Sequence, residues 1–330
     1  MSLSEGKRKH LDALSDSRGV IAAAAMDQRG SLQKSIAAAK GVATEAVTPE
    51  MLSEFKVAVT KVLTPHASAI LLDTEFGIPA TKVRGKAGLL LAYEKTGYDV
   101  SNNMRLPDLL PDLSVKRIAD LGGDAVKILI YYSPFEAPEV KEVKHAFIER
   151  IGAECEHHQV PFFLEFIGFD PNGGDDKGVE FAKQKPEIVI KSMEEYSKPQ
   201  YHVDVLKVEV PINANYVEGS SVYKGQKAYG MEEAKDHFRR AADVAKKPFI
   251  YLSAGVSNAQ FIESLRMAAD AGTDYSGVLC GRATWKEGIP VYATQGAKAL
   301  EDWLSVEGVK NINAVNDALK PAKPWHAKLG

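Results

Sequence analysis

Eight short apolar segments alternate with longer amphipathic segments along this chain, and that alternation constrains the fold more than any other feature. The apolar segments, predicted as strands, cover residues 19–27, 68–75, 88–94, 124–132, 161–169, 204–211, 248–255 and 277–282. They are apolar on both faces, as parallel strands covered by helices are. The alternation predicts a parallel sheet, and eight such strands favour closure into a (β/α)8 TIM barrel.

An open, doubly wound sheet is the competing architecture. Such a sheet normally carries a G-x-G-x-x-G phosphate loop after its first strand, and the sequence there, AMDQRGSL, does not match that motif. One connection departs from a regular repeat. The segment FGIPATKVRGKA, at 76–87, is too short and too rich in Gly and Pro for a crossover helix, so we predict a loop or a single helical turn.

Two helices have ends that the sequence marks clearly. One helix begins with Thr48 as its N-cap and Pro49 at its first position. The other pairs Ser257 with Gln260 as a capping box and ends at Gly272. No low-complexity segment or linker interrupts the pattern, and α/β barrels often exceed about 250 residues as one domain. We therefore expect a single barrel domain over 1–330, with extra helical segments at its N and C termini.

Charge and composition exclude several classes of partner. The formal net charge of -3 gives no electrostatic reason to bind a polyanion such as nucleic acid. Cys155 and Cys280 are too few for a disulfide framework, and no apolar stretch approaches the roughly 20 residues of a membrane span. The charged N-terminal segment lacks the apolar core of a secretory signal. We expect a cytoplasmic protein without nucleic-acid or membrane partners, and leave open whether it forms a homo-oligomer.

Two lysines interrupt otherwise apolar strands. Lysine is rarely buried unless it is paired or chemically active. Side chains alternate between the two faces of a strand, and this period places Lys127 and Lys207 on the faces opposite their most apolar neighbours. The same reasoning turns Glu165 inward on the intervening strand. We therefore predict Lys127 and Lys207 on either side of Glu165 inside the barrel.

This predicted trio has a chemical interpretation and a structural alternative. A neighbouring cation and desolvation both lower the pKa of an ammonium group, and a neutral lysine is a nucleophile. The alternative is a buried ion-pair network that only fills the barrel. A metal site is not predicted, because the histidines fall mainly in helices or connections. The adjacent His157 and His158 cannot share a helical face and are interpreted as solvated residues at a helix end.

The segments after the last two predicted strands favour an anion site. Ser253, Ala254 and Gly255 offer backbone N–H groups, and the helix that starts at Ser257 adds its positive end. Arg282 can bind a phosphate with two hydrogen bonds. The substrate is therefore predicted to be phosphorylated. A tight turn at 253–255 and a solvated surface charge at Arg282 remain the alternatives.

Further candidates lie at other strand ends. Asp27 is predicted to orient hydroxyl groups or a cationic intermediate, with capping of the following segment as the alternative. Asp73 and Glu75 are weaker candidates of the same kind. The segments 170–178 and 215–230 follow the strands of Glu165 and Lys207 and are long enough to act as lids.

Six fragments, in their order along the chain, carry a family resemblance: AMDQRG, AVKILIYY, LEFIGFD, DVLKVEVP, YLSAGVS and CGRATW. Together they resemble the class I tagatose-1,6-bisphosphate aldolase family over nearly the whole chain. The resemblance implies a (β/α)8 barrel that cleaves tagatose 1,6-bisphosphate to dihydroxyacetone phosphate and glyceraldehyde 3-phosphate without a metal or other cofactor. It also implies a relaxed preference for hydroxyl configuration, so that fructose 1,6-bisphosphate is a plausible second substrate.

The resemblance assigns roles by motif. Lys207 would form the Schiff base, Glu165 would act as acid and base, and Lys127 would be the auxiliary lysine. The substrate contacts would come from Asp27, Gln28, Ser253 and Arg282. In the mechanism we expect, Glu165 takes the C4 hydroxyl proton while charged Lys127 keeps Lys207 neutral and orients the carboxylate.

Alternatives at the level of function stay open. Related aldolases act on sulfonated sugar phosphates, so the family does not fix the sugar. A dehydratase or isomerase could use the same imine but would release no three-carbon fragments. A non-catalytic sugar-phosphate sensor would need Arg282 and the Gly255 loop but not both lysines.

Overall fold

The computed structural model describes residues 3–96 and 104–329, and its centre is a closed barrel of parallel strands. The barrel strands are β1 (Ile21–Met26), β2 (Ala69–Leu72), β3 (Gly88–Ala92), β4 (Ala125–Tyr131), β5 (Phe162–Ile167), β6 (Val205–Glu209), β7 (Phe249–Leu252) and β8 (Gly277–Cys280). Strand β1 pairs with β2 on one side and with β8 on the other, so the sheet has no open edge. The predicted barrel is confirmed and the open sheet is wrong.

All eight predicted strands are present, but each is shorter than its apolar segment. The difference is largest at β2 and β7, and at β2 residues 73–75 leave the ladder. Asp73 Oδ1 accepts a hydrogen bond from the Phe76 backbone N–H at 2.7 Å, and this turn ends the strand. The predicted single turn after β2 is confirmed as a four-residue helix, Ile78–Thr81.

Helices surround the barrel and extend beyond it at both ends. They are α1 (Glu5–Leu14), α2 (Gly30–Lys40), α3 (Pro49–Leu63), α4 (Ile78–Thr81), α5 (Val115–Asp120), α6 (Pro138–His158), α7 (Val179–Tyr196), α8 (Met231–Val244), α9 (Asn258–Asp270), α10 (Arg282–Trp285), α11 (Ile289–Trp303), α12 (Val309–Ala318) and α13 (His326–Leu329). No helix among the described residues has both the length and the apolar character that crossing a bilayer requires.

The strands bury two separate apolar layers. The outer layer packs strand residues such as Val126, Leu164 and Leu206 against the helices. The inner layer fills the barrel with alternate residues, including Phe163 and Val205. This division confirms the predicted alternation of faces, because Lys127, Glu165 and Lys207 have the parity of the inner layer.

The N-caps agree with the sequence in one case and partly in the other. Thr48 accepts from the Met51 N–H at the start of α3, as predicted. Ser257 likewise accepts from the Gln260 N–H at the start of α9. The second half of the predicted capping box is wrong, because the Gln260 side chain donates to Asn213 Oδ1 instead of turning back to Ser257.

The amino end of the barrel is closed by the chain termini. Leu11 and Leu14 of α1, with Trp325 near the C terminus, belong to the inner apolar layer. The Lys7 Nζ lies 2.8 Å from Asp204 Oδ2, just before β6. The carboxyl end of the barrel is therefore the end at which a site can open.

Candidate active site

Lys127 lies at the centre of three carboxylates inside the barrel. Its Nζ is 2.8 Å from Asp27 Oδ2, 2.7 Å from Glu94 Oε1 and 2.9 Å from Glu165 Oε2. The lysine is 0% exposed. A cation enclosed in this way is held in one position by its partners.

Lys207 contacts the same carboxylate from the other side. Its Nζ donates to Glu165 Oε2 at 2.6 Å, so both lysine nitrogens lie on one oxygen atom. Lys207 and Glu165 are 4% and 5% exposed. The predicted positions of Lys127 and Lys207 on either side of Glu165 are confirmed.

The strand register explains this convergence. Glu165 of β5 is paired with Lys207 of β6, so their side chains lie side by side on the inner face. Lys127 of β4 is paired with Phe163, two residues closer to the amino end than Glu165. Its long side chain spans that difference and reaches the level at which Asp27 follows the end of β1.

The electrostatics of the cluster keep Lys127 charged. Burial opposes its charge, but Asp27, Glu165 and Glu94 raise the pKa of Lys127 well above its ordinary value. Burial also disfavours ionised Asp27, yet Lys127 and Lys207 hold the pKa of Asp27 well below its usual range. At Glu94 burial prevails over the attraction of Lys127 and raises the pKa. Between Asp27 and Glu94, Asp27 is therefore the more firmly ionised.

A second buried lysine, Lys56, holds the segment after β1 in place. Lys56 of α3 donates to the backbone oxygens of Met26 and Gln28, both at 2.7 Å, and lies 2.6 Å from Asp73 Oδ2. Lys56 and Asp73 are both 0% exposed, so Asp73 supports the site and does not face it. Asp27 does not cap α2, because Arg29 occupies that N-cap position without a side-chain cap.

Glu94 and Arg29 join the cluster without having been predicted. Arg29 Nη1 lies 2.5 Å from Glu75 Oε2, and its Nη2 donates to the Glu94 backbone oxygen at 2.8 Å. Glu75 therefore acts through Arg29. Glu94 has the inward parity of Leu90 and Ala92, so the alternation that identified Lys127 was also the signal for Glu94.

The segments after β7 and β8, which were predicted to bind phosphate, lie close together. Ala254 and Gly255 have φ values of 47° and 76°, and the Val256 N–H donates to the Ser253 oxygen, so this segment is a tight turn as well. A Cβ at Gly255 would lie 2.7 Å from Arg282 Cζ, which places the guanidinium directly against the turn. In the described part of the chain, the exposed side chain of Arg282 has no hydrogen bond or ion pair, so its guanidinium is free to bind an anion.

Gln28 lies between these two segments and the lysines. Its Nε2 would be 3.2 Å from a Cβ on Gly281, just after β8. Its Oε1 is buried and has no hydrogen-bond partner within the described residues. Gln28 thus retains an unused acceptor near the predicted sugar position.

The two segments that were predicted to act as lids contact each other. Tyr216 donates its hydroxyl hydrogen to the Lys177 backbone oxygen at 3.0 Å, which joins 170–178 to 215–230. The second segment contains two short paired strands, Val217–Glu218 and Tyr229–Gly230, which were not predicted because two residues show no periodicity. Among the described residues, no three His, Cys, Asp or Glu side chains converge as metal ligands.

His157 and His158 are the last two residues of α6, where His157 is exposed and His158 is half-buried. Their interpretation as residues at a helix end is confirmed.

The sequence is similar to named aldolases over its full length. It is 50% identical to a tagatose 1,6-diphosphate aldolase of Listeria monocytogenes, over 100% of this chain and 96% of that protein. It is 49% identical to tagatose 1,6-diphosphate aldolase 2 of Enterococcus faecalis, over 100% and 98%. The corresponding protein of Lactococcus lactis is 47% identical over 100% of both chains.

Solved structures show the same fold at low sequence identity. A Schiff-base-forming fructose-1,6-bisphosphate aldolase matches with a TM-score of 0.53 at 15% identity, covering 92% of this chain and 100% of that one. A fructose-bisphosphate aldolase from Plasmodium falciparum, solved with TRAP and an inhibitor, matches with a TM-score of 0.69 at 12% identity, covering 97% and 95%.

The sequence model of the DeoC/LacD family aldolases matches residues 21–287, from the start of β1 to just beyond α10. The match contains all eight barrel strands. It also contains the lysine–carboxylate cluster, which consists of Asp27, Glu94, Lys127, Glu165 and Lys207. With relatives about half identical over the full length, the chain belongs to the DeoC/LacD aldolase family.

Proposed function

We propose that the protein is a class I aldolase that reversibly cleaves tagatose 1,6-bisphosphate to dihydroxyacetone phosphate and glyceraldehyde 3-phosphate, through an imine on Lys207. The observation that carries the proposal is the pair of lysine nitrogens on Glu165 Oε2 inside the barrel. The relatives named for this substrate support the choice of sugar. Fructose 1,6-bisphosphate, which differs at C4, is the proposed second substrate.

Lys207 forms the bond to the substrate. Cleavage between C3 and C4 leaves an electron pair next to the C2 carbonyl carbon, and a protonated imine accepts that pair. The Lys207 amine attacks C2 and water leaves, so that a C=N bond replaces the carbonyl. Glu165 Oε2, at 2.6 Å, receives the proton that the amine must lose and returns it to the C2 hydroxyl group, which leaves as water, so that Glu165 is again a carboxylate. The imine supplies the electron sink that a metal ion provides in other aldolases, so this route needs no cofactor.

Glu165 then serves the cleavage step. It takes the proton from the C4 hydroxyl, the C3–C4 bond breaks, and its electrons move into the imine to give an enamine. Glyceraldehyde 3-phosphate leaves. The proton that Glu165 took from the C4 hydroxyl passes to the enamine at C3, and hydrolysis of the C=N bond by one water releases dihydroxyacetone phosphate and restores the Lys207 amine.

Lys127 acts by position and charge. Its three carboxylate partners fix the Nζ, and its 2.9 Å contact fixes Glu165 in turn. Because a preorganised charge needs no rearrangement during the reaction, it stabilises the transition state efficiently. Asp27 and Gln28, at the end of β1, are placed to orient substrate hydroxyl groups.

The phosphate next to C2 belongs at the corner of Ser253, Gly255 and Arg282. This corner follows β7 and β8, and β7 is the neighbour of β6, which carries Lys207. Arg282 can hold a phosphate with two hydrogen bonds, and the N terminus of α9 begins three residues after Gly255.

Borohydride trapping tests the covalent step. Reduction in the presence of dihydroxyacetone phosphate is expected to attach the three-carbon unit to the peptide containing Lys207, and Lys207→Met is expected to lose both the adduct and turnover. Lys185→Met is a matched control, because Lys185 is also buried but pairs with Glu209 at 3.1 Å rather than with Glu165. An adduct on Lys127, or turnover above trace level in Lys207→Met, would contradict the assignment.

Product analysis separates this function from its alternatives. Incubation with tagatose 1,6-bisphosphate is expected to release both three-carbon phosphates in equal amounts. An isomerase or dehydratase would return a six-carbon product, and a sensor would return the substrate unchanged. The same assay with fructose 1,6-bisphosphate and a sulfonated sugar phosphate ranks the sugars by kcat/KM.

A further inference from the structure

Arg105 packs against two aromatic rings at the carboxyl end of the barrel. Its guanidinium carbon is 4.8 Å from the centre of the Tyr131 ring and 4.3 Å from that of Phe169. Tyr131 has the inward parity of Lys127 on β4, and Phe169 has the inward parity of Glu165 just beyond β5. Phe169 is two residues beyond the end of β5, and Tyr131 is the last residue of β4. Arg105 therefore lies at the carboxyl ends of β4 and β5.

The side chain of Arg105 is incompletely paired. Its Nε is buried and has no hydrogen-bond partner among the described residues. The carboxylate found beside it is Asp176, at 3.7 Å from Nη2 and 41% exposed. By contrast, the guanidinium of Arg29 has Glu75 at 2.5 Å and the Glu94 backbone oxygen at 2.8 Å. An arginine that is 19% exposed and lacks a close counter-ion retains its capacity to bind an anion.

The backbone of Arg105 supports the same interpretation. Its φ is 46°, in the left-handed region that residues with a Cβ seldom occupy. Such conformations cost free energy and occur most often at functional sites. Here the strained backbone directs the guanidinium onto the faces of Tyr131 and Phe169.

Strand order gives the direction in which a substrate extends. Around the barrel, β8, β7, β6, β5 and β4 are successive neighbours. Arg282 follows β8, Lys207 lies on β6 and Glu165 lies on β5. A ketose with its C1 phosphate at Arg282, C2 at Lys207 and the C4 hydroxyl at Glu165 directs its remaining carbons towards β4 and β5, where Arg105 lies.

We propose that Arg105 binds the C6 phosphate of the substrate and thereby gives the site its preference for a bisphosphate over a sugar carrying only the C1 phosphate. This inference rests on the proposed function, which it makes more specific. It assigns the two ends of the substrate to different arginines, Arg282 for the C1 phosphate and Arg105 for the C6 phosphate. Tyr131 and Phe169 hold the planar guanidinium in one position.

The test compares two substrates in one variant. Arg105→Met is expected to lower kcat/KM for tagatose 1,6-bisphosphate about 30-fold or more, the loss of one charge-assisted phosphate contact. Its kcat/KM for tagatose 1-phosphate is expected to stay within about twofold of the wild type. Arg282→Met is expected to impair both substrates. Arg266→Met, which removes an arginine that is 69% exposed on α9, is the matched control and is expected to change neither.

Two results would overturn the inference. An equal loss with both substrates would mean that Arg105 supports the site without contacting the C6 phosphate, and no loss with either would mean that it has no role there. Arg105→Lys gives a further check, because it keeps the charge, loses the planar fork and is expected to retain part of the preference.

Binding of an unreactive analogue separates this inference from the proposed function. A hexitol 1,6-bisphosphate has no carbonyl and cannot form an imine. In titration calorimetry, Arg105→Met is expected to weaken its binding about 30-fold and to leave a hexitol 1-phosphate unaffected. That result holds even if the wild type cleaves no sugar. Cleavage by the wild type together with equal binding of the analogue by both proteins would contradict only the role of Arg105.

Discussion

Lys127 and Lys207 contact the same oxygen of Glu165 but have different numbers of partners. Lys127 compensates three carboxylates, whereas Lys207 has Glu165 as its one carboxylate within salt-bridge distance among the described residues. Removing a cation from a buried ionic cluster leaves its partners without compensation, which costs more than the pair itself contributes.

Lys127→Met is therefore expected to lower the free energy of unfolding by about 3–5 kcal/mol at neutral pH. Lys207→Met is expected to lower it much less, because Lys127 still neutralises Glu165. Denaturant unfolding of both variants measures the difference, and Lys127→Arg, which keeps the charge, is the control. Equal stability losses in the two methionine variants would contradict this account of the cluster.

The ionisation of Asp27 makes the free energy of unfolding depend on pH in the acid range. Its pKa in the folded protein is below the ordinary value of 3.8, so its ionised form stabilises the fold above pH 3.8 and this contribution is lost as the pH falls further. Asp27→Asn is expected to cost about 1.5–3 kcal/mol at neutral pH, and the difference from the wild type is expected to shrink below pH 3.8. Urea unfolding between neutral pH and pH 3 tests this. A difference that is constant over that range would show that the Asp27 charge is not the cause.

The start of α9 shows how a helix end can differ from its sequence motif. Ser257 caps the helix, but Gln260 donates to Asn213 in the segment after β6. Ser257→Ala is therefore expected to lower the free energy of unfolding by about 1 kcal/mol. Gln260→Ala is expected to leave the cap intact and to cost less. Thermal unfolding of both variants checks the order, and a reversed order would restore the reciprocal capping box.

The short apolar segments were the strongest guide to the fold, because each of them contains one of the eight strands. The alternation of side chains along single strands was the strongest guide to the site, because it predicted that Lys127, Glu165 and Lys207 face one cavity. Glu94 could have been found by the same rule. Arg29 could not, because its partners Glu75 and Glu94 follow two different strands, and their separation depends on the stagger between those strands, which sequence periodicity does not specify.

The sequence also did not predict where the strands end or which side chains pair with each other. Strand β2 ends early because Asp73 accepts a local backbone hydrogen bond, a competition between turn and ladder that apolar character does not reveal. Asp73 was placed among the hydroxyl-binding candidates, but Lys56 holds it in the fully buried layer beneath the site. A carboxylate at a strand end can face the cavity or support it, and only the packing of α3 decides which.

The two ends of the barrel have different tasks. The carboxyl end carries the lysine–carboxylate cluster, the phosphate corner and Arg105. The amino end is closed by α1 and by Trp325, whose apolar side chains continue the inner layer. This division predicts that stability and chemistry can be changed separately, which matches the behaviour expected of (β/α)8 barrels.

Lys7 gives the means to test that separation. Its Nζ lies 2.8 Å from Asp204 Oδ2, and the same oxygen accepts from the Phe162 N–H at 2.8 Å. Lys7→Met leaves Asp204 buried with a backbone donor but without its cation, so we expect a loss of about 3–5 kcal/mol in the free energy of unfolding. The kcat of the folded variant is expected to stay within about twofold of the wild type, because α1 closes the end of the barrel opposite the site.

Denaturant unfolding and turnover, measured at a temperature where the variant is folded, test both parts. Lys9→Met, on the exposed side of the same helix, is the control. If kcat fell in step with stability while the variant remained folded, the amino end would be coupled to the lysine–carboxylate cluster through the strands, and the separation of tasks along the barrel axis would be wrong.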